Sequence, residues 1–241
     1  MQLLIDSSTR LGIHVNEAQL EKFRIYCDEL IEWNQRFNLT AITARDQILL
    51  KHFLDSLTLL LVWRGSSKAN VIDIGAGAGF PGIPLKIACP ALRLTLIEAT
   101  GKKVEFLQHI AARLKLEQVT IIHGRAENLG QETSHREQYD LVLARAVAAL
   151  PELLEYGLPF AGMGGMMIAH KGAAAHHEVH ESTHALSVLG GKLERMVRVE
   201  LPGVTEERQL VVIRKAARTP DNYPRRAGVP HKRPLTSTPS P

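Results

Sequence analysis

Three glycines that follow a short apolar run are the residues whose spacing points most directly to chemistry. Gly75, Gly77 and Gly79 come after the run VIDI at residues 71–74. An apolar run that breaks into alternating glycines is typical of a buried strand that ends in a tight loop before a helix. Glycine has no Cβ, so the backbone of such a loop can lie directly against a ligand. At the carboxyl end of a parallel sheet, the usual occupant is an adenosine-type cofactor.

The residues around this loop discriminate between cofactors. A dinucleotide fingerprint needs a small residue at its sixth position, where the chain has Phe80. A phosphate-binding loop needs Lys and Ser or Thr after its last glycine, whereas Ile83 and Pro84 follow Gly82. No basic residue is available in the loop for a phosphate, which favours S-adenosylmethionine. With Asp73 the glycines form D-x-G-x-G-x-G, a pattern of class I methyltransferases; a glycine-rich turn without a ligand is the alternative.

A candidate ribose ligand ends the next apolar run. Residues 92–98 read LRLTLIE and predict a second strand that ends at Glu98. An acid about 20 residues beyond the first loop glycine is expected to accept hydrogen bonds from ribose hydroxyls. The alternative is a solvated carboxylate at a strand end, but the glycine loop beside it favours the ribose interpretation.

Strand and helix patterns alternate after residue 70 and would position these groups. Strands are predicted at 71–74, 92–98, 119–123, 139–144, 165–170, 193–200 and 209–214, and helices at 82–89, 102–114, 149–157 and 173–188. This alternation favours an α/β, doubly wound, Rossmann-like sheet, and its last two strands would form an antiparallel edge hairpin. Helical patterns at 16–37 and 47–62, without strands, predict a helical cap. The predicted domains are a cap at 1–65, a methyltransferase domain at 66–216 and a tail at 217–241.

The composition is that of an ordinary globular protein. The chain has 241 residues, 45% of them hydrophobic and 22% charged, with a net charge of +4. No apolar stretch approaches the ~18 to 20 residues of a membrane span, and the first residues do not resemble a secretory signal. Cys27 and Cys89 lie in separate segments and do not suggest a disulfide framework. A cytoplasmic location and no membrane partner are therefore expected.

The excess positive charge is concentrated in a proline-rich C-terminal tail. Arg225, Arg226, Lys232 and Arg233 lie there, together with six of the twelve prolines. Proline disfavours helices and central strands, which predicts an extended segment. Clustered cations on such an arm suit phosphate contacts with RNA. The alternative is a solubilising, disordered tail.

Several longer stretches carry a closer resemblance, which extends from about residue 16 to residue 235. They are NLTAIT (38–43), HFLDSL (52–57), DIGAGAGFPGIPL (73–85), IEATGKKVEFL (97–107), GRAEN (124–128), YDLVLARAVA (139–148), HKG (170–172) and YPRRAGVPHKRPL (223–235). With these motifs the chain resembles the RsmG (GidB) family of bacterial methyltransferases of 16S ribosomal RNA. The resemblance implies the class I methyltransferase fold and S-adenosylmethionine as cofactor. It also implies methyl transfer to N7 of a guanine, near position 527 in the decoding-region loop.

The resemblance also implies roles for individual positions. Gly75 would contact the cofactor through its backbone, Phe80 would close the loop, and Ala126 and Glu127 would lie against the adenine. Arg145 would lie beside the transferable methyl group. The predicted cofactor-binding residues are therefore Asp73, Gly75, Gly77, Phe80, Glu98, Ala126, Glu127 and Arg145, and Arg145 is also the predicted catalytic residue. The predicted RNA-binding residues are Lys171, Arg225, Arg226, Lys232 and Arg233, with 16S rRNA or the small ribosomal subunit as partner.

Methylation of guanine N7 does not need the catalytic motifs that are missing from this chain. After the fourth predicted strand it reads ARAV instead of an N-P-P-Y motif for exocyclic amines, and Cys89 is far in sequence from the substrate side. N7 already carries an in-plane lone pair, so alignment with the methyl group is the main requirement. Arg145 stays protonated and cannot act as a base. It could donate to guanine O6, hold a phosphate or the cofactor carboxylate, or form only a salt bridge.

Other groups give weaker indications. His52 and Asp55 are three residues apart, could pair on one helical turn and could lie near the substrate. His176, His180 and His184 recur every four residues and would share a helix face, but no further ligand cluster accompanies them, so no metal is expected. A nicotinamide-dependent oxidoreductase and a non-catalytic RNA-binding protein are the alternative functions, which Phe80 and the intact loop with Arg145 disfavour. A monomer that does not bind DNA is expected.

Overall fold

A seven-stranded sheet forms the centre of the molecule, in a computed structural model that describes residues 1–236. The last five residues of the predicted tail, 237–241, lie outside the described residues. The strands are β1 (Asn70–Ile74), β2 (Arg93–Glu98), β3 (Val119–His123), β4 (Tyr139–Arg145), β5 (Ala161–Lys171), β6 (Gly191–Val199) and β7 (Arg208–Lys215). Their order is β3-β2-β1-β4-β5-β7-β6; β1 to β5 are parallel, and β7 is antiparallel to both neighbours. The doubly wound α/β sheet with an antiparallel edge hairpin is confirmed.

The register of the central strands brings three loops to one edge of the sheet. Ile74, the last residue of β1, is opposite Ile97 of β2 and Ala144 of β4. All three are buried, because helices cover both faces of a parallel sheet. From β1 the chain adds β2 and β3 on one side and then returns to add β4 on the other, so the strand order reverses between β1 and β4. Ligands bind at such a switch point, outside the carboxyl ends of the strands.

Helices precede, connect and follow the strands. They are α1 (Gln2–Arg10), α2 (Glu17–Phe37), α3 (Arg45–Ile48), α4 (Asp55–Leu57), α5 (Leu59–Val62), α6 (Gly82–Ala88), α7 (Gly101–Arg113), α8 (Ala126–Leu129), α9 (Leu150–Gly157), α10 (Ala175–Glu181), α11 (Thr183–Leu189) and α12 (Val229–Lys232). Within residues 1–236, no helix combines the length and the apolar character that crossing a membrane requires.

The N-terminal helices pack directly onto the glycine loop. Tyr26 of α2 stacks on Phe80 with ring centroids 5.3 Å apart, and its hydroxyl donates to the carbonyl of Ala78. Phe53 and Phe106 complete this aromatic cluster, at 5.1 Å and 6.4 Å from Tyr26. Cap and sheet thus share one hydrophobic core. The predicted boundary at residue 65 stays a prediction.

The predicted helix at 47–62 differs from the structure in its middle. Residues Leu49–Leu54 form a π-helix between α3 and α4, so one turn contains an extra residue. His52 and Asp55, at and just after this turn, are both buried. A hydrophobic period read along a regular α-helix does not reveal such an insertion, and π-turns are frequent at functional sites.

The single helix predicted at 173–188 is wrong, because the chain forms two helices that break at Ser182. The Ser182 hydroxyl donates to the carbonyl of Glu178 at 2.6 Å, and a serine that bonds back in this way bends a helix. The break lies between His180 and His184. The three histidines predicted to share one face therefore do not lie on one continuous helix.

The extended, helix-free tail is also wrong for the described part. Residues 219–233 fold back onto the domain and contain α12, whose Pro230 is buried. Proline is tolerated in the first turn of a helix, where its missing N–H has no partner to lose. Arg136 holds this segment against the domain, because its guanidinium donates to the carbonyls of Thr219 and Tyr223, both at 2.7 Å.

Candidate cofactor and substrate site

The loop after β1 requires glycine for steric reasons. Gly75 has a φ of +64°, and a Cβ there would lie 2.9 Å from Cγ2 of Val147. Gly79 has a φ of +97°, and its Cβ would lie 2.6 Å from the Tyr26 hydroxyl. A side chain at either position would meet both backbone strain and a clash. The loop therefore brings backbone close to the segment after β4.

Asp73 lies beneath this loop and supports it by a hydrogen bond. Its side chain is fully buried, and Oδ2 accepts the N–H of Gly82, the first residue of α6, at 2.7 Å. Burial raises the pKa of Asp73 to about 7, although the Gly82 N–H and Arg145 act in the opposite direction. Asp73 was predicted to bind the cofactor. The structure places it where it can shape the loop but does not expose it to a ligand.

Glu98 lies at the carboxyl end of β2 and faces a cavity. Its Oε2 accepts the N–H of Gly77 and its Oε1 accepts the N–H of Thr100, both at 2.8 Å. Each carboxylate oxygen can accept a further hydrogen bond. Glu98 thus fixes the glycine loop and can still accept from ribose hydroxyls.

The cavity beside Glu98, the cofactor cavity, has a volume of about 220 Å³. Its wall is formed by the ends of β1 and β2, the loops that follow the strands, and residues of α8 and α9. The lining residues are Ile74, Gly75, Ile97, Glu98, Ala99, Gly124, Arg125, Ala126, Glu127, Val147, Glu152 and Tyr156. Three carboxylates and one guanidinium line it, which suits a ligand that carries hydroxyl and amine donors and a positive charge. It suits phosphates poorly. Of the predicted residues, Gly75, Glu98, Ala126 and Glu127 line this cavity.

Glu152 and Tyr156 of α9 were not predicted for this wall. The Tyr156 hydroxyl donates to Oε1 of Glu152 at 2.6 Å. Burial, helped by the neighbouring Glu152 carboxylate, raises the pKa of Tyr156 well above its usual value, so it remains a phenol that donates. Their four-residue spacing on a helix did not identify them, because the same spacing is typical of residues that face a hydrophobic core.

A second cavity, the substrate cavity, has a volume of about 350 Å³, and its wall includes Arg145 and Ala146, which directly precede Val147 of the cofactor cavity. It is lined by Lys51, His52, Asp55, Arg145, Ala146, His170, Lys171, Gly172 and Arg208. Four of these residues are Lys or Arg and one is an Asp, so the lining suits an RNA phosphate or the acceptor edge of a guanine.

Arg145 is the most firmly held cation of the substrate cavity. Its Nη1 donates to the carbonyl of Lys51 at 3.2 Å and to Oδ2 of Asp55 at 2.9 Å, and its Nη2 to Nδ1 of His52 at 3.1 Å. Its guanidinium carbon lies 5.0 Å above the ring of Phe80. A guanidinium has five N–H groups. Two of them therefore have no acceptor among the described residues and can donate to a ligand.

His52 acts as a neutral acceptor toward Arg145. Burial, reinforced by the positive charge of Arg145, lowers the pKa of His52 to about 3. Its Nδ1 therefore accepts from Arg145, and its Nε2 is assigned the proton that it donates to the hydroxyl of Thr40 at 2.8 Å. Thr40 belongs to the NLTAIT motif, which thereby has a place in the site.

Asp55 is enclosed by two guanidinium groups. It is 4% exposed; Arg145 contacts Oδ2, and Nε of Arg208 lies 3.7 Å from Oδ1, which makes no hydrogen bond within residues 1–236. The three-residue spacing of His52 and Asp55 indicated that they could pair with each other, whereas both contact Arg145. Arg208 was missed, since it comes from β7 and nothing near it in sequence points to the site.

The predicted RNA-binding residues occupy different environments. Lys171 lies at the rim of the substrate cavity, where its Nζ contacts Oε2 of Glu178 at 2.7 Å. Arg225 makes a salt bridge with buried Glu155 at 2.6 Å. Arg226, Lys232 and Arg233 are exposed. These four tail cations line neither of the two cavities.

The histidines on α10 and α11 form no metal centre in the described chain. Across residues 1–236, no group of three or more His, Cys, Asp or Glu side chains is placed to hold a metal ion. His177 contacts Glu181 at 3.6 Å. His180 and His184 also have partners.

Comparison with protein families gives a match over most of the chain. Residues 19–211 match the family described as rRNA small subunit methyltransferase G (GidB). A protein from Roseiflexus castenholzii named ribosomal RNA small subunit methyltransferase G is 50% identical over 98% of this chain and 100% of its own length. A protein of the same name from Alkaliphilus metalliredigens is 46% identical over 97% of this chain and 98% of its own length.

Solved structures similar to this chain share its fold at low sequence identity. TrmN from Thermus thermophilus matches with a TM-score of 0.53 and 18% identity, over 69% of this chain and 53% of that chain. TYW2 from Pyrococcus horikoshii, solved in complex with MeSAdo, matches with a TM-score of 0.52 and 12% identity, over 68% and 62%. The class I, Rossmann-like methyltransferase fold expected from the sequence is thus confirmed.

Proposed function

The chain belongs to the rRNA small subunit methyltransferase G family, and on that premise we propose that it methylates N7 of a guanine in 16S ribosomal RNA. It is an S-adenosylmethionine-dependent rRNA methyltransferase. The atom and nucleotide, near position 527, follow the family. The observation that carries the proposal is Arg145, a firmly held guanidinium with two N–H groups still available beside a loop built for the cofactor.

The carboxylates and apolar side chains of the cofactor cavity suit S-adenosylmethionine. Glu98 can accept from ribose hydroxyls while it holds Gly77, and Ile74, Ile97 and Val147 provide apolar contact for an adenine ring. The excess of carboxylates favours a cationic ligand without phosphates. When bound, this cofactor supplies an electrophilic methyl group on a positively charged sulfur.

The substrate cavity fits a guanine whose N7 faces the cofactor cavity. Ala146 and Val147 directly follow Arg145, and Val147 touches the place where a Cβ of Gly75 would lie, so the two cavities adjoin across this segment. Arg145 can donate to guanine O6, next to N7, and leave the N7 lone pair free. No proton has to be removed from N7, so the residues align and exclude water instead of acting as a base.

Positively charged side chains support RNA as the binding partner. Lys171 and Arg208 at the substrate cavity, with exposed Arg226, Lys232 and Arg233, offer contacts to RNA phosphates. We propose that the chain acts in the cytoplasm as a monomer on 16S rRNA or the assembled small subunit, with no DNA or membrane partner.

The test combines a labelled cofactor with small-subunit particles that lack this methyl group. We expect label at N7 of one guanine, and loss of at least about 10²-fold in rate for Arg145→Gln, since an aligned charged donor is removed. Arg64→Gln, an exposed arginine at the opposite end of the sheet, serves as the matched control and should keep the wild-type rate. Label on another atom would contradict the N7 assignment, and an unchanged rate for Arg145→Gln would contradict the role of Arg145.

A further inference from the structure

The C-terminal segment at residues 219–233, called the clasp below, meets the wall of the cofactor cavity through two carboxylates. The N–H of Gly228 donates to Oε1 of Glu127 at 3.0 Å, and Nδ1 of His231 lies 3.2 Å from Oε2 of Glu152. Glu127 and Glu152 both line the cofactor cavity and are 6% and 9% exposed. Each carboxylate is thus held on its outer side by the clasp.

A buried ion pair fastens the clasp to α9. Glu155 is fully buried, and its carboxylate accepts the backbone N–H of Arg225 at 2.8 Å, Nε at 2.8 Å and Nη2 at 2.6 Å. Such a bidentate pair has a defined geometry, and removal of one partner leaves a buried charge without compensation. The second N–H of Nη2 donates to the carbonyl of Arg233 at 2.7 Å, so the same side chain also holds the residue that follows α12.

Two further side chains, Gln131 and Arg136, connect the clasp to the region of α8. Nε2 of Gln131 donates to the carbonyl of Pro224 at 2.8 Å, and Arg136 holds the carbonyls of Thr219 and Tyr223. Gln131 follows α8, the helix that carries Ala126 and Glu127. The clasp therefore bridges α8 and α9, the two helices that supply one side of the cofactor cavity.

We propose that the clasp is a structural part of the cofactor site, and that Glu155 and Arg225 are positioning residues for Glu127 and Glu152. This assignment rests on the proposed location of the cofactor. Arg225 accordingly stabilises cofactor binding and is not an RNA contact, whereas Arg226, Lys232 and Arg233 on the same clasp face solvent. RNA that contacts these three cations would be linked to the cofactor through one short segment.

The experiment measures S-adenosylhomocysteine binding to the full chain by calorimetry, without RNA. For Arg225→Gln we expect the Kd to rise about fivefold to tenfold, because the two wall carboxylates lose their outer hydrogen bonds. Arg218→Gln, which removes the same charge from an exposed neighbouring position, should bind as the wild type does. In turnover, Arg225→Gln should raise KM for S-adenosylmethionine, with kcat at saturating cofactor changed by less than about twofold.

Each outcome decides between the two proposals. If the wild type does not bind S-adenosylhomocysteine, the cofactor cavity itself is wrongly assigned and the clasp proposal falls with it. If the wild type binds and Arg225→Gln binds equally well, the clasp proposal alone is overturned. If Arg225→Gln does not fold by circular dichroism, His231→Ala decides, since this side chain is 76% exposed and its removal spares the core. A rise in Kd of about threefold then supports the proposal, and an unchanged Kd overturns it.

Discussion

Arg145 depends on three acceptors that come from one short stretch of the chain. The carbonyl of Lys51, the ring of His52 and the carboxylate of Asp55 all lie on or next to the π-helical turn. His52 stays neutral because burial and Arg145 lower its pKa. Within residues 1–236, Asp55 is the negatively charged side chain in direct contact with Arg145. The orientation of the cation follows from these partners and not from its own strand.

Replacement of Asp55 by Asn should separate orientation from cofactor binding. The amide keeps the volume but loses the charge, so Arg145 and Arg208 lose their common partner; breaking such a buried pair costs about 3 to 5 kcal/mol. We expect kcat to fall at least about tenfold and the Kd of S-adenosylhomocysteine to change by less than about twofold. Kinetics and calorimetry check this. Asp46→Asn, at an exposed position, is the control, and wild-type turnover of Asp55→Asn would refute the orienting role.

Asp73 should make stability depend on pH in a direction that is unusual for a carboxylate. Its folded-state pKa is raised from 3.8 to about 7, so between about pH 4 and pH 7 the unfolded chain has lost a proton that the folded chain retains. The free energy of unfolding therefore loses up to a few kcal/mol as the pH rises through this range, at about 1.4 kcal/mol per pH unit.

The Asp73→Asn variant tests this dependence. Asn cannot ionise, so its free energy of unfolding relative to the wild type should increase between pH 5 and pH 8. Urea denaturation at both pH values measures the difference. The lowered pKa of His52 acts on both chains and cancels. A difference that stays constant with pH would show that Asp73 ionises normally in the folded protein.

Local patterns predicted some residues of the site and could not predict others. The glycines and Glu98 lie close together in sequence, and backbone geometry alone gives them their tasks, so their types and spacing were informative. Arg208 is brought to the site only by the pairing of β7 with β5. Glu152 lines the cavity on α9 and contacts the clasp there. The apolar periodicity along α9 does not predict this tertiary contact. The sequence pattern also could not show whether Asp73 contacts the ligand or supports the loop from beneath.

At the scale of elements, the loop between β1 and α6 combines strain and close approach at Gly75. A Cβ at a φ of +64° and 2.9 Å from Val147 would move the loop or the segment after β4. For Gly75→Ala we expect KM for S-adenosylmethionine to rise at least about tenfold, since strain at such a position costs about 1 to 3 kcal/mol. Initial-rate kinetics measure this.

A second substitution shows which cause dominates. Val147→Ala removes the atoms that the new Cβ meets, so the Gly75→Ala/Val147→Ala double variant should recover part of the affinity if the clash dominates. Val147→Ala also removes a proposed adenine contact, so the double variant is compared with the Val147→Ala single variant. An equally large effect of Gly75→Ala in both backgrounds would assign the loss to the positive φ alone. A wild-type KM for Gly75→Ala would contradict the close approach of this loop to the cofactor.

The elements that could be predicted are those with a regular period. The strands and α7 repeat apolar residues at the spacing of a strand or helix, and their positions agree with the structure to within a few residues. The π-turn at Leu49–Leu54, the break at Ser182 and the short helix with Pro230 have no such period. Each arises where a side chain or a tertiary contact competes with the regular backbone pattern.

Across the molecule, the exposed cations of the clasp are separated from the cofactor cavity and its three carboxylates. The clasp carries Arg226, Lys232 and Arg233 on its exposed side, while its inner side contacts carboxylates. Each phosphate contact releases counterions, so the salt dependence of RNA binding reports the number of such contacts. The surface of the clasp is therefore expected to act through affinity and not through sequence recognition.

Conversion of these three cations to Gln should lower the slope of log Kd against log salt for 16S rRNA by about 2 to 3. Filter binding over a range of salt concentrations measures it. A control with the same charge change uses Arg10, Lys68 and Lys192, which are exposed elsewhere. Equal slopes for the clasp variant and this control would contradict a specific role of the clasp in RNA binding.

The position of β7 has a consequence for how the protein is made. It is the last strand within residues 1–236, yet it lies inside the sheet, between β5 and β6. During synthesis β6 emerges first and has no strand to pair with, and the edge of β5 stays open. The sheet can close only after almost all of the chain has left the ribosome, followed by the clasp. Until then an unpaired strand edge is exposed, and a stalled or shortened nascent chain that ends before residue 208 should be prone to aggregate and to need a chaperone.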